Sequence, residues 1–168
     1  MSVPPRLAEI PKQETIEKVL GHLCTYALRK YWVVEQGRLL MGLDCVRAHL
    51  GAESGANASE EDLGAALVSY LEDAVEKIDS RQHRIILEVV LGLGADTWKA
   101  DNWRDQTATR RRAEAGRSFR GAGARPVTYG TIRQHHEPRA INDLADIIWQ
   151  DERLARGESG QADEDGNA

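Results

Sequence analysis

Three consecutive arginines, Arg110, Arg111 and Arg112, are followed after a Gly- and Arg-rich turn by Thr128-Tyr129-Gly130-Thr131-Ile132-Arg133-Gln134-His135-His136. Guanidinium groups neutralise phosphates and make paired hydrogen bonds to guanine, and a Gln amide can do the same to adenine. The pattern predicts a basic helix, a turn and a second helix whose exposed side chains are hydrogen-bonding types. That layout sets one helix in a DNA groove while its neighbour grips the backbone. Arg110, Arg111, Arg112 and Arg117, with Arg120 and Arg125 on the turn, are the candidate DNA-backbone contacts. Thr128, Thr131 and the N–H groups at that helix start are suited to hold a phosphate. Arg133, Gln134 and His136 are the candidates for base edges.

Plainer readings of the same residues stand beside this one. Neighbouring helical residues lie about 100° apart, so three arginines in a row cannot all face one phosphate track. A structural salt bridge stays open for at least one of them. His135, His136 and Glu137 look ligand-like, but adjacent helical side chains diverge, and a metal needs ligands that converge. Gly130 costs roughly 1 kcal/mol of helix propensity against Ala, which fits either a close approach to a groove or a frayed first turn. Trp98 and Trp103 flank the basic helix and suit an interface or a cap on the core.

The elements that must position these residues read as helices throughout. Ile16, Val19, Leu20, Leu23 and Ala27 recur at helical spacing from Gln13 onward, and Leu28, Tyr31 and Trp32 widen the stripe. Gly37 is a candidate interruption, after which Leu39, Leu43, Val46 and Leu50 resume the period. Ser59 followed by Glu60, Glu61 and Asp62 is an N-terminal signature for a helix that buries Leu63, Leu67, Tyr70, Leu71, Ala74 and Ile78. Asp79-Ser80 can cap a helix with Ile85, Ile86, Val89, Val90 and Leu93 on its apolar face, closed by Gly92 and Gly94. The connection from Ala95 to Asp101 leads to a helix from about Asn102 to Ser118, and Pro126 stops any helix from running through the turn. Thr128 caps the next helix. Pro138 disfavours helical geometry at Glu137, so the helix either kinks there or ends near His136 and restarts with Pro138 in its first turn. Ile141, Leu144, Ala145 and Ile148 then line the last helix. No strand-like alternation of useful length occurs.

Charge is distributed unevenly. The 168 residues carry a formal net charge of −5, yet residues 99–139 hold 10 basic against 4 acidic side chains. Encounter with a polyanion follows the local field, so the segment matters more than the total. Hydrophobic residues make up 41% of the chain, enough for a real core, and no apolar run approaches a membrane span. The first residues lack a signal-peptide core, which gives a cytoplasmic expectation. Cys24 and Cys45 lie in apolar helical patterns with no partner motif, so buried free thiols are expected. There is no Gly-rich phosphate loop and no motif-placed His beside either Cys, and the carboxylates fall at capping and surface positions. The chain therefore does not read as an enzyme, and no cofactor or metal is expected.

The order from Ser80 onward resembles region 4 of the bacterial sigma-70 factors, their C-terminal promoter-reading helix-turn-helix. Leu91-Gly92-Leu93-Gly94 echoes the "YGLD"-like end of that region's first helix. Ile132-Arg133-Gln134, then Glu137, then Ala140-Ile141-Asn142-Asp143-Leu144 correspond to its recognition helix, "ERIRQIExxALxxL". The resemblance covers at most residues 80–150, and residues 1–79 hold no counterpart of the helix that melts promoters. It implies a support helix, a recognition helix and double-stranded DNA as partner. The expected organisation is all-α: an extended arm over 1–12, a helical dimerisation or partner-binding region over 13–79, a helix-turn-helix region over 80–153, and an acidic disordered tail over 154–168. The expected function is a non-catalytic, DNA-binding transcription regulator. The alternative is a helical adaptor that binds a protein partner or its own copy through residues 13–79.

Overall fold

Serine and threonine side chains start four helices in the computed structural model, which describes residues 3–51, 57–93, 104–121 and 123–157. Trp98, Trp103, the connection from Ala95 to Asp101 and residues 158–168 of the expected tail lie outside the described residues. The helices are α1 (Gln13–Tyr26), α2 (Lys30–Gln36), α3 (Arg38–Met41), α4 (Asp44–Arg47), α5 (Glu60–Glu76), α6 (Arg81–Leu91), α7 (Ala108–Ser118), α8 (Tyr129–Thr131) and α9 (Glu137–Ala155). A π-helical turn, Ile132–His136, joins α8 to α9. No strand occurs among the described residues, and the fold is all-α.

Side-chain caps explain the starts of α5, α6, α7 and α8. Ser59 Oγ accepts from the Asp62 N–H at 3.1 Å while the Asp62 carboxylate accepts from the Ser59 N–H at 2.9 Å, so two N-terminal donors of α5 are satisfied reciprocally. Hydrogen bonds from Ser59 hold the Asp62 carboxyl below its ordinary pKa. Ser80 caps α6 and Thr107 caps α7 with their hydroxyls alone, accepting from the N–H groups of His83 and Arg110. At its other end α6 closes on Gly92, whose φ of 73° is the left-handed geometry that glycine adopts without steric cost.

The core runs through both halves of the chain. Ile16, Leu20 and Leu23 of α1 are fully buried, as are Leu63, Leu67 and Leu71 of α5 and Ile86, Leu87 and Val90 of α6. α9 lies along α1 and α6 and also touches α4 and α5, so Leu144, Ala145 and Ile148 complete a single cluster. The apolar stripe of α1, expected to pair with a partner or a second copy, is thus consumed by the chain's own packing. Glu152 is also fully buried: its carboxylate accepts the backbone N–H groups of Asp44 and Cys45, at 3.0 and 2.9 Å, and the Arg156 Nε–H at 2.6 Å. A carboxylate placed there satisfies the start of α4 and opposes its dipole.

The helical run after Gln13 and the start of the tail differ from expectation, and the extended arm is docked on the helices. The period from Gln13 to Gly51 is cut into four helices, because Ala27 turns at φ 60° and its successor, Leu28, donates its N–H to the Leu91 carbonyl at 3.0 Å. Gly37 makes the second break, where a Cβ would lie 2.7 Å from Leu67 Cδ2 on α5. The arm is tied down: Leu7 N–H donates to Gly42 O at 2.9 Å and Arg6 pairs with Asp44 at 2.6 Å. The tail begins later than residue 154, since α9 runs to Ala155 and Arg156 donates to the carbonyls of Leu7 and Ala8.

Candidate nucleic-acid interface

α7 and α8 are fastened at a glycine. Val127 N–H donates to the Gly116 carbonyl at 3.0 Å, and a Cβ on Gly116 would run into the Val127 carbonyl oxygen. Only a bare helix surface lets the connection cross this closely. Ala115, Phe119, Val127 and Ile132 fill the space beside it and are all buried. Thr128 then caps α8, accepting from the Thr131 N–H at 3.3 Å, with the two threonine hydroxyls 3.0 Å apart.

Pro138 takes the second of its two expected arrangements, with the last helix starting beside it at Glu137. It sits in the first turn of α9, and the preceding turn widens so that the Glu137 N–H bonds to the Ile132 carbonyl, five residues back. Proline lacks an N–H and its ring crowds the carbonyl four residues earlier, so a widened turn accommodates it at the start of α9. Arg133, Gln134 and His135 are all exposed on this turn.

The triple arginine divides three ways. Arg110 is exposed. Arg111 is 1% exposed, and its guanidinium donates to four carbonyl oxygens: Val90 at 2.8 Å, Gln106 at 2.5 Å, Cys24 at 2.8 Å and Thr25 at 2.9 Å. Those of Cys24, Thr25 and Val90 belong to the last turns of α1 and α6, the negative ends of both helix dipoles. Burial pushes the Arg111 pKa down to about 10, so it remains charged at neutral pH. Arg112 is also buried and pairs with the buried Glu137 carboxylate, whose hydrogen bond holds the guanidinium above its ordinary pKa. Both arginines leave the set of candidate DNA-backbone contacts because the fold withdraws their charged groups from solvent.

The remaining arginine candidates are exposed. Arg117 is exposed but donates to Glu114 at 2.7 Å. Arg120, Arg125 and Arg133 are exposed, and no ion pair holds them or Arg110 among the described residues. His136 differs from its expected role: it is half-buried, with its ring 4.4 Å from the Phe119 ring. Burial lowers its pKa, and the positive charges of Arg139, His135, His83 and Arg120 lower it further. His83 itself is bonded to Asp143. Those neighbours mark where the connection, the π turn and α9 concentrate positive charge. The sequence pattern assigned no role to Arg139, although it is exposed and lies three residues past the last base-edge candidate, His136.

Among the described residues no group of three His, Cys, Asp or Glu side chains is placed to hold a metal ion. Among the described residues no helix is long and apolar enough to cross a membrane. Compared with known proteins, the chain matches no family model, no curated protein and no solved structure.

Proposed function

We propose that this protein is a DNA-binding transcription regulator that contacts double-stranded DNA through α7, the connection after it and the helix from Tyr129, in the manner of a sigma-region-4-like helix-turn-helix. The observation that carries this reading is the exposed set Arg120, Arg125, Arg133 and Arg139, without acidic partners among the described residues, on the segment that also exposes Gln134 and His135. The acids nearest in sequence are otherwise engaged: Glu114 with Arg117, Glu137 with Arg112, and Asp143 with His83. A surface with its cations unpaired keeps its field for a polyanion. Arg120 and Arg125 act as backbone contacts, and Arg133 and Gln134 face bases.

The test is fluorescence anisotropy of pooled random DNA duplexes across a salt series, with the Arg120/Arg125/Arg133→Ala variant alongside. Duplex binding that falls steeply with salt, and more gently in the variant, supports the reading. Absence of binding at low salt ends it.

A second reading, a helical adaptor for a protein partner, draws on one feature of the opposite kind. Tyr26 stacks on Trp32 at 4.5 Å, and the adjacent Tyr31 is 61% exposed, giving an aromatic surface at the α1–α2 turn. An adaptor need not bind duplex DNA at any salt concentration, and the same anisotropy experiment separates the two.

A further inference from the structure

On the α2–α5 side of the molecule a groove of about 610 Å³ is walled by Leu28, Val33, Val34 and Val68. That volume falls within the range of small-ligand sites, about 300–1,000 Å³. α5 floors it with small residues: Gly64 and Ala65 leave open the space that larger side chains would fill. Two of its lining groups have unmet hydrogen-bonding capacity. Glu72 Oε1 is buried with no hydrogen-bond partner among the described residues, and so is one Nη of Arg104. The Arg104 side chain is fixed nonetheless, because its Nε–H donates to the Gly92 carbonyl at 2.8 Å and its own carbonyl accepts from Arg29. Asp62, also at the groove, is occupied by the Ser59 capping box.

A buried carboxylate oxygen and a buried guanidinium N–H without partners are each costly to keep, more so because both groups are charged. Here they are opposite in charge and share one apolar cavity. We propose that the groove is a binding site for a small zwitterionic amphiphile. Its ammonium donates to Glu72, its carboxylate accepts from Arg104, and its hydrocarbon body lies against Leu28, Val33, Val34 and Val68. The site stands apart from the basic surface and does not rest on the DNA reading.

The experiment is two-dimensional amide NMR titration of the full chain with four probes. L-Leucine and 8-aminooctanoate are zwitterions with short and long charge separation; n-octylamine and octanoate carry one charge each. The expected result is saturable shifts at Val33, Val68 and Glu72, with a millimolar or tighter Kd for at least one zwitterion and weaker binding of both single-charge probes. Glu72→Gln keeps the shape of the site and should weaken the zwitterion about tenfold or more. Ala65→Phe fills the groove from an exposed helix position and should abolish the shifts while the spectrum stays dispersed. The proposal is overturned by the absence of saturable shifts with both zwitterions, by shifts that persist unchanged in Glu72→Gln, or by a single-charge probe that binds as tightly as the better zwitterion.

Discussion

Arg112 and Glu137 meet through two parallel hydrogen bonds, Nε to Oε2 at 2.6 Å and Nη2 to Oε1 at 2.9 Å, with both side chains buried between α7 and the start of α9. The pair locks the helix after the connection to the helix before it. Removing one partner leaves the other charged and buried, which typically costs about 3–5 kcal/mol. Arg112→Ala and Glu137→Ala should each lower stability by that amount in urea denaturation, whereas the Arg112→Met/Glu137→Leu double variant should recover much of it. Arg110→Ala, two residues away on the exposed face, should stay within about 0.5 kcal/mol of the parent.

Arg111 is held by carbonyl oxygens alone, so its substitution tests geometry more than charge. A lysine ammonium keeps the charge but cannot span carbonyls from α1, α6 and Gln106 with one compact group. Arg111→Lys should lose at least about 2 kcal/mol of stability, since buried acceptors are left unmade. Near-parental stability would mean that the carbonyl cluster contributes little.

Gly116 and Gly130 should respond oppositely to alanine. At Gly116 the new Cβ meets the Val127 carbonyl, and Gly116→Ala should cost about 3 kcal/mol or more, above the usual range for overpacking. Nothing lies within 4 Å of a Cβ at Gly130, so Gly130→Ala should stabilise the helix by up to about 1 kcal/mol. If duplex binding weakens in Gly130→Ala while Tm rises, the glycine serves close approach to DNA.

Protonation of His136 should be visible in thermal stability. Its folded pKa lies below the ordinary value of 6.5 because burial against Phe119 and the charges of Arg139, His135, His83 and Arg120 disfavour the imidazolium. The unfolded chain therefore takes up this proton first as pH falls. The contribution is present above the unfolded pKa, is lost as pH falls through it towards the folded pKa, and changes no further below that. His136→Phe should flatten the decline of Tm between neutral pH and about pH 5.5 relative to the parent. An unchanged slope would assign the decline to other groups.

Arg133 separates positioning from readout. If it faces a base, Arg133→Ala should relax sequence preference at one position by about 1–3 kcal/mol. If it touches phosphate, the loss should be uniform across sequences, with a salt slope shallower by about one. Binding-site selection with parent and variant decides between the two.

Much of the helical framework was legible in the chain. The caps at Ser59, Ser80 and Thr128, the stop at Gly92, and the buried faces of α5 and the last helix follow from local chemistry: short polar side chains satisfy the first N–H groups, and apolar side chains recur every third or fourth residue. The break at Gly37 was open in the sequence as a candidate interruption, whereas the break at Ala27 was not legible, because it goes with a contact distant in sequence, Leu28 N–H to the Leu91 carbonyl. The candidate site divides similarly. Exposure of Arg120, Arg125 and Arg133 agrees with their polar surroundings, but nothing in the run Arg110-Arg111-Arg112 tells which arginine turns inward.

The sequence by itself determined an all-helical chain, where most of its helices begin, and a cluster of positive charge between residues 99 and 139. Tertiary structure decided that Arg111 closes the ends of α1 and α6, that Arg112 and Glu137 neutralise each other, and that α9 draws both halves around one core. The physical reason is range. Caps and periodicity act over a few residues, whereas the partner of a buried charge is whatever group the packed helices bring within about 3 Å.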